Sequence, residues 1–143
     1  MPLEVVARRI AFGSYVKRNP SVTAGTVFDH VLTELFLKDD NLNDPYLEYV
    51  SEAQQFLLHD QSLPYGTGYM KSLYQDMLGV PSDWSVAGTL NNIQTKTRDV
   101  FGILETAWSG VSARLVDLKL NLVLMDLETL ELGIALRLMV GEC

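Results

Sequence analysis

The stretch VDLKLNLVL, residues 116–124, decides how this chain is read. Apolar residues fill its even positions, and Asp117 and Lys119 lie between them. Residues 130–140 alternate in the same way after a short polar interruption. A period of two is typical of a β-strand, because successive side chains point to opposite faces of a sheet. We therefore predict an antiparallel β-hairpin over residues 111–141, with one leucine-rich face and one mixed-charge face.

The leucine-rich face of this predicted hairpin must be buried against other residues of the chain or against another protein. A two-stranded hairpin alone is marginally stable in water, and its free edges can pair with a strand of another chain. We hypothesise that the hairpin contacts other protein subunits, and a private core within the chain is the alternative. The residues of this predicted interaction surface are Trp108, Leu118, Leu120, Leu122, Val123, Leu132, Ile134 and Leu136.

Upstream of the hairpin, apolar residues recur at helical spacing in four segments. They predict a helix over residues 23–38, a second over 45–59, a short third over 70–78, and a long fourth from Ser82 or Ser85 to about Trp108. Residues 5–16 fit a helix and a strand equally well.

The predicted fold class is therefore α+β, with about four N-terminal and central helices followed by a C-terminal antiparallel β-hairpin. We expect a single domain over 1–143: an N-terminal arm (1–20), a mainly helical part (21–108) and the hairpin (111–141).

Composition narrows the function classes. The chain has 143 residues, 48% of them hydrophobic, and a net charge of −7. This acidic balance argues against nucleic-acid binding, which needs clustered lysines and arginines. No apolar stretch reaches the roughly 18 residues of a membrane span, and the N-terminus has no signal-peptide pattern. The single cysteine, Cys143, indicates a reducing compartment. We expect a soluble protein that binds neither nucleic acid nor membrane.

A local concentration of basic residues near the N-terminus is the exception to the acidic balance. Arg8, Arg9, Lys17 and Arg18 lie within a short distance of one another in sequence. We interpret them as a solvated face, and an anion-binding patch is the alternative.

Candidate chemical motifs are incomplete. His30 and Glu34 lack the HExxH arrangement of a zinc site, and His59 lies at the end of a predicted helix. Gly66-Thr67-Gly68 lacks the P-loop lysine, and the acidic residues 39–44 lack the glycine and glutamate of a calcium loop. No nucleophile–base pair can be identified. We predict no catalytic, cofactor-binding or metal-binding residue, no cofactor and no enzyme activity.

The order of segments resembles a known family. A glycine-containing loop at 64–69, a break at Pro81, a long helix ending in LETAW at residues 104–108 and two alternating strands follow one another. This order, from Gln54 to Val140, resembles the small baseplate-wedge or sheath-initiator proteins of contractile phage tails. Ser109-Gly110-Val111 replaces the rest of the Trp-Glu-Pro-Arg-like signature of that family. The segment RNPSVTAGTV, residues 18–27, is similar to the start of baseplate-J-type wedge proteins.

The resemblance implies a non-enzymatic structural subunit of a contractile-tail baseplate. Its partners would be other protein subunits of a larger assembly, and its place would be the virion after synthesis in the host cytoplasm. The alternative function is a small cytoplasmic adaptor or regulatory protein that binds one protein partner.

Overall fold

A computed structural model describes residues 2–65, 69–74, 86–124, 130–133 and 140–142, with side chains described within 3–65 and 86–121. Within these residues, seven antiparallel strands form one sheet in the order β5-β4-β3-β2-β1-β7-β8. Two short strands form a separate pair, β6-β9. The elements are β1 (Pro2–Ile10), α1 (Ser14–Arg18), β2 (Val27–Leu37), a 3₁₀ turn (Asp40–Leu42), β3 (Tyr46–Val50), β4 (Gln55–His59), β5 (Tyr69–Tyr74), α2 (Val86–Ser109), β6 (Ala113–Leu115), β7 (Asp117–Leu124), β8 (Leu130–Gly133) and β9 (Val140–Glu142).

Strand β1 lies between β2 and β7 and is covered on both faces. Leu3, Val5 and Ala7 are buried on one face, and Glu4 and Arg8 are buried on the other. The sequence left residues 5–16 open between helix and strand because a doubly covered strand shows no alternation of buried and wet positions. Residues 5–10 belong to β1, and α1 is a single short turn of helix.

The helix predicted over residues 23–38 is wrong: residues 27–37 form the strand β2. Val31 and Leu37 are buried toward one side of the sheet, and Phe36 is buried toward the other. Apolar residues on both sides of a strand produce spacings of three and four by chance, and these imitate a helical stripe.

The second predicted helix, over residues 45–59, is also wrong. Strands β3 and β4 form a hairpin here, with Leu47 opposite Leu58 and Tyr46 opposite His59. Residues 51–54 make the turn without glycine or proline, and Gln54 has a φ of 52°. The sequence therefore lacks the glycine, proline or asparagine residues that usually indicate the turn of a hairpin. The third predicted helix is wrong over residues 70–74, which belong to strand β5 and pair with β4, and its residues 75–78 lie outside the described residues.

The long predicted helix is present as α2 and packs on one side of the sheet. Its buried residues Val86, Ile93, Thr97 and Phe101 follow the helical period. Val86 and Ile93 belong to one core cluster, around Leu3, Val5, Leu47 and Phe56, and Phe101 belongs to a second, around Ala7, Leu115, Leu118 and Leu120. The hydroxyl of Thr97 donates to the carbonyl of Ile93 at 2.6 Å, which satisfies this polar group in the core. Neither described helix combines the length and hydropathy needed to cross a membrane.

Strands β7 and β8 pair antiparallel, with Leu122 opposite Leu132 and Val123 opposite Glu131. They do not form a separate C-terminal hairpin, because β7 also pairs along its length with β1, and β9 pairs with β6. The predicted fold class of about four helices followed by a hairpin is therefore wrong. Within the described residues, the fold is an antiparallel sheet covered on one side by one long helix.

Candidate active site on the polar face of the sheet

The side of the sheet opposite α2 carries charged residues from its central strands. Directly opposed residues of antiparallel strands share a face, so the register shows which side chains lie together. Val6 lies between Glu34 of β2 and Lys119 of β7. Arg8 lies opposite Asp117. We call this side the polar face, and its members are Glu4, Val6, Arg8, Glu34, Phe36, Tyr46, His59, Asp117, Lys119 and Asn121.

A buried ion triad lies at the centre of the polar face. The Nε of Arg8 donates to Oε1 of Glu34 at 2.8 Å, and Nη2 of Arg18 donates to Oε2 of Glu34 at 2.6 Å. The guanidinium of Arg18 also lies 5.0 Å from the ring centre of Phe36 and 5.4 Å from that of Tyr46. Buried charges are costly unless they are paired, so the shared carboxylate and the aromatic rings keep both arginines in place.

The outer edge of the Arg8 guanidinium is only loosely engaged. Its Nη1 lies 3.4 Å from the carbonyl oxygen of Phe12 and 3.7 Å from Oδ2 of Asp117, and its Nη2 lies 3.3 Å from Oγ of Ser14. These distances exceed those of good charged hydrogen bonds, which are about 2.7–2.9 Å. Glu34 therefore fixes the Nε side, and the two Nη groups remain able to bind an anion.

A second chain of charges runs beside the triad. The Nζ of Lys119 lies 2.9 Å from Oε2 of Glu4, and the Nζ of Lys38 lies 4.0 Å from Oε1 of Glu4. Lys38 also contacts Oδ2 of Asp44 at 3.0 Å, and this hydrogen bond raises the pKa of Lys38 above its usual value. Burial pushes the pKa of Asp44 upward, but the hydrogen bonds from Lys38 and from the Asp39 amide outweigh it and lower that pKa overall.

These charges surround a cavity of about 260 Å³. Its walls contain two cations, three carboxylates, a hydroxyl and an amide. These groups supply hydrogen-bond donors and acceptors for a polar ligand that carries both charged and neutral groups. Gly13, with a φ of 64°, lines the cavity beside Ser14. The lining residues are Glu4, Val6, Arg8, Gly13, Ser14, Phe36, Asp44, Gln61, Asp117 and Lys119.

An aromatic cluster borders the polar face on the side of β3 and β4. The rings of His59 and Tyr65 lie 5.0 Å apart at 30°, and Tyr46 lies 5.9 Å from His59. Burial raises the pKa of the Tyr46 hydroxyl. A hydrogen bond to the carboxylate of Glu48 raises the pKa of Tyr65 to about 12. Both tyrosines are therefore neutral donors at ordinary pH.

Within the described ranges, no three His, Cys, Asp or Glu side chains are grouped closely enough to hold a metal ion. Arg8 and Lys119 are the cations among the cavity-lining residues, and each of them also contacts a carboxylate.

The structure separates the basic residues that the sequence grouped together. Arg8 and Arg18 are buried in the ion triad, so the interpretation of the group as a solvated face is wrong for these two. Arg9 points to the helix side and binds the carboxylate of Glu105 through two nitrogens. Lys17 is exposed.

The other residues weighed in the sequence are placed as follows. His30 is exposed on β2, and Glu34 serves the ion triad. The Nε2 of His59 lies 3.0 Å from Oε2 of Glu48. Asp39 caps the 3₁₀ turn by accepting from the amides of Asn41 and Leu42. Gly66-Thr67-Gly68 lies outside the described residues.

The predicted interaction surface is distributed over several places. Leu118 and Leu120 are buried in the second core cluster, and Trp108 packs against it. Leu122 and Val123 belong to β7, and Leu132 belongs to β8. Ile134 and Leu136 lie outside the described residues. As a contact surface for another protein, this set remains a prediction.

The sequence reasoning missed the polar face as a site. Glu4, Arg8, Asp117 and Lys119 were visible as charges that alternate with apolar residues on two segments more than a hundred residues apart. The available signal was the presence of charged residues on one face of otherwise apolar segments, Glu4 and Arg8 in the first and Asp117 and Lys119 in the second. It was interpreted as a wet surface, because only the pairing of β1 with β7 brings the two segments together.

Comparison with known proteins identifies the family. The sequence model of the family described as SAICAR synthetase matches residues 1–133. The phosphoribosylaminoimidazole-succinocarboxamide synthase of Roseiflexus sp. (strain RS-1) is 36% identical over 121 residues, which cover 85% of this chain and 38% of that protein. This chain thus spans about two-fifths of the length of the curated relatives that it matches first.

Solved structures agree with the sequence match. SAICAR synthetase from Pyrococcus horikoshii OT3 is 26% identical with a TM-score of 0.61, over 92% of this chain and 45% of that one. A structure of SAICAR synthetase in complex with ADP is also 26% identical, with a TM-score of 0.62 over 92% of this chain and 44% of that one.

These matches overturn the functional predictions made from the sequence. The resemblance to baseplate-wedge proteins is wrong, because the chain matches the SAICAR synthetase family model over residues 1–133. It rested on the order of elements, and the short helix in that order and the helix at residues 23–38 contain strands instead. The prediction of a non-enzymatic tail subunit in the virion, with other subunits as partners, is therefore wrong, and the adaptor alternative has no support. The relatives are named for the synthesis of a small molecule, so the prediction of no enzyme activity is contradicted as well. The chain belongs to the SAICAR synthetase family.

Proposed function

We propose that this chain carries a substrate-binding sheet of a SAICAR synthetase. In this proposal the cavity on the polar face binds the phosphoribosylaminoimidazole-succinocarboxamide for which the relatives are named. The observation that carries the proposal is the Nη edge of Arg8, which faces this cavity together with Lys119 and Ser14.

The chemistry of the named product supports this assignment. Its phosphoribosyl part carries a phosphate, and its succino part carries carboxylates, so it presents several anionic groups. Guanidinium and ammonium groups recognise such anions through charged hydrogen bonds. The amide of Gln61 and the hydroxyl of Ser14 add neutral partners for the amide and imidazole groups of the product.

The reaction class assigns further roles. A carboxamide forms when an amine attacks an activated carboxyl carbon. In an acyl phosphate, the carbon–oxygen bond to phosphate breaks as the carbon–nitrogen bond forms, and inorganic phosphate leaves. The bound ADP of the similar structure is the by-product expected when ATP transfers its terminal phosphoryl group to the carboxylate. We assign to Arg8 and Lys119 the neutralisation of substrate charge during this step. Glu4 and Asp117 hold these two cations in position.

Product binding by the Lys119→Met variant tests the proposal. We expect isothermal titration calorimetry to detect binding of phosphoribosylaminoimidazole-succinocarboxamide to the unaltered chain. Lys119→Met should weaken it by about tenfold or more, because one charged hydrogen bond contributes about 1.5–3 kcal/mol. Lys119 is one-third exposed, but its ammonium is the nearest cation to the buried carboxylate of Glu4, so thermal unfolding of the free variant checks that the fold survives the replacement.

Lys96→Met is the matched control, because Lys96 is exposed on α2, across the sheet from the cavity. This variant should bind the product as the unaltered chain does. Equal affinities for Lys119→Met and the unaltered chain, or no binding by the unaltered chain at millimolar product, would refute the proposal.

A further inference from the structure

The buried ion triad contains one arginine that reaches the cavity and one that does not. Arg8 is among the described residues that line the cavity, whereas Arg18 and Glu34 are not. The side chains of Arg18 and Glu34 are only 2% and 6% exposed. Any effect of Arg18 on a ligand in the cavity must therefore pass through Glu34 to Arg8.

Glu34 offers one carboxylate oxygen to each arginine. Its Oε1 accepts from Nε of Arg8 at 2.8 Å, and its Oε2 accepts from Nη2 of Arg18 at 2.6 Å. An isolated arginine–carboxylate pair frequently forms two parallel hydrogen bonds, because the fork of the guanidinium matches the two oxygens. In such a pair, Glu34 would bind both Nε and Nη2 of Arg8. Arg18 opposes this arrangement, since it occupies Oε2.

Nη2 of Arg8 is directed to the cavity instead. It lies 3.3 Å from the hydroxyl oxygen of Ser14, which also lines the cavity. This contact is longer than a good charged hydrogen bond, so Nη2 can still donate strongly to an anionic group. If Oε2 of Glu34 moved to Nη2, an anionic ligand would have to compete with a carboxylate for this donor.

Arg18 is held in place by contacts that do not involve Arg8. Its Nη1 lies 3.3 Å from the carbonyl oxygen of Gln61. Its guanidinium also lies 5.0 Å from the ring centre of Phe36 and 5.4 Å from that of Tyr46. These contacts fix the cation that holds Oε2 of Glu34, and they do so from outside the cavity.

We propose that Arg18 is a positioning residue that keeps Nη2 of Arg8 available to an anionic group of the ligand. It does so by holding the second carboxylate oxygen of Glu34. Loss of Arg18 would let Glu34 turn both oxygens to Arg8, and the cavity would lose a donor although every residue that lines it is unchanged. The proposal rests on the proposed function, since it concerns the same ligand site.

The Arg18→Met variant tests this role. Methionine is unbranched and packs well against aromatic rings, so it suits the space beside Phe36 and Tyr46. Isothermal titration calorimetry should show about tenfold weaker binding of phosphoribosylaminoimidazole-succinocarboxamide, because the ligand loses one charged hydrogen bond. A crystal structure of the variant without product should place Oε2 of Glu34 within about 3 Å of Nη2 of Arg8.

Arg9→Met is the matched control. Arg9 is also a paired arginine of β1, but it binds the carboxylate of Glu105 on the helix side of the sheet. This variant should bind the product as the unaltered chain does. Tenfold weaker binding by Arg9→Met would refute the specific role of Arg18, because loss of any paired arginine would then have the same effect.

The double variant Arg18→Met/Glu34→Gln separates positioning from packing. A glutamine amide has one oxygen that can accept from Nε of Arg8, and its nitrogen only donates, so it cannot bind Nη2. We therefore expect the double variant to recover an affinity within about threefold of the unaltered chain. If Arg18 served packing alone, the second substitution would weaken binding further, and that result would refute the positioning role.

The crystal structures and the affinities must agree. Oε2 bound to Nη2 of Arg8 with unchanged affinity would refute the proposal, and so would weaker binding with Oε2 away from Nη2. If thermal unfolding shows that Arg18→Met does not fold, Arg18→Lys takes its place. Its ammonium should still hold Oε2 and preserve the affinity within about threefold, and tenfold weaker binding with Oε2 so held would refute the role.

Failure of the proposed function gives a different result. In that case the unaltered chain does not bind the product at all. The structure of Arg18→Met then decides the positioning role by itself. Movement of Oε2 of Glu34 to Nη2 of Arg8 would support it, and an Oε2 that stays away from Nη2 would refute it.

Discussion

Glu34 accepts hydrogen bonds from two buried arginines, one on each carboxylate oxygen. Asp117 lies 3.7 Å from Nη1 of Arg8, so the two arginines face two carboxylates. Removal of either carboxylate would leave a buried cation without its compensating charge, which is costly. At the scale of single residues, the polar face is therefore held together by charges that are paired with one another.

Asp44, on the same face, gives a prediction about pH. Its folded pKa lies below the ordinary value of 3.8, so its contribution to stability is present above that value and is lost as pH falls through the lowered folded pKa. Asp44→Asn should therefore be less stable than the unaltered chain in urea unfolding near neutral pH. The difference in unfolding free energy should shrink toward zero below about pH 3.

Asp99→Asn is the control for this measurement, because Asp99 is exposed on α2. It should follow the unaltered chain across the whole pH range. A deficit of Asp44→Asn that stays constant down to the lowest pH would show that the change acts through packing or the turn rather than through its charge.

At the scale of elements, the side of the sheet that packs against α2 forms the apolar core, and the opposite side carries the charged residues. The helix buries an apolar stripe against strands whose other face holds the charges, and this stripe contains no ionised residue among its fully buried members. The strands are therefore held from one side by the hydrophobic effect, which leaves their other side available for polar residues that packing alone would not select.

Phe101 is the clearest test of this division. Its side chain is fully buried between α2 and the second core cluster. Phe101→Ala should lower the free energy of unfolding by about 3–5 kcal/mol, because a large cavity remains in the core. Ile103→Ala, on the outer side of the same helix and 70% exposed, should change it by no more than about 0.5 kcal/mol. Urea denaturation measures both, and similar losses would mean that α2 is not seated as described.

Some of these elements could be predicted from the sequence and others could not. The helix α2 has one apolar stripe and one wet side, so its periodicity is visible, and the alternation over residues 117–124 identifies β7 for the same reason. Strand β2 is covered on both sides at its C-terminal end, so its period is hidden. The turn at 51–54 lacks glycine and proline, which allowed β3 and β4 to be read as one helix.

The candidate site was harder to predict than the elements. Arg8 and Asp117 are far apart in sequence, and they lie opposite each other only because strand β1 pairs with strand β7. Arg18 reaches Glu34 from a short helix that carries no periodic signal of its own. The site is assembled by pairing between strands that are distant in sequence. The local pattern of charges therefore indicates only separate surface residues.

At the scale of the whole molecule, the sheet separates stability from binding. Core residues such as Ile93, Leu118 and Phe101 lie on the helix side, and the residues that line the cavity lie on the other. Changes on the helix side should therefore alter how stable the free chain is without altering the affinity for a ligand on the polar face. Changes on the polar face should do the reverse wherever the altered side chain is partly exposed.

Thermal unfolding with and without product tests this separation. A ligand present at about a hundred times its dissociation constant stabilises the folded chain by about 2.7 kcal/mol, which should raise the midpoint by about 5–10 °C. Ile93→Val, which removes one buried methyl group, should lower the midpoint of the free chain and keep the same rise with product. Lys119→Met should lose about half of the rise or more at that product concentration, because tenfold weaker binding reduces the ligand stabilisation to about 1.4 kcal/mol. If Ile93→Val loses the rise as Lys119→Met does, the two sides of the sheet are coupled, and the site depends on the core as a whole.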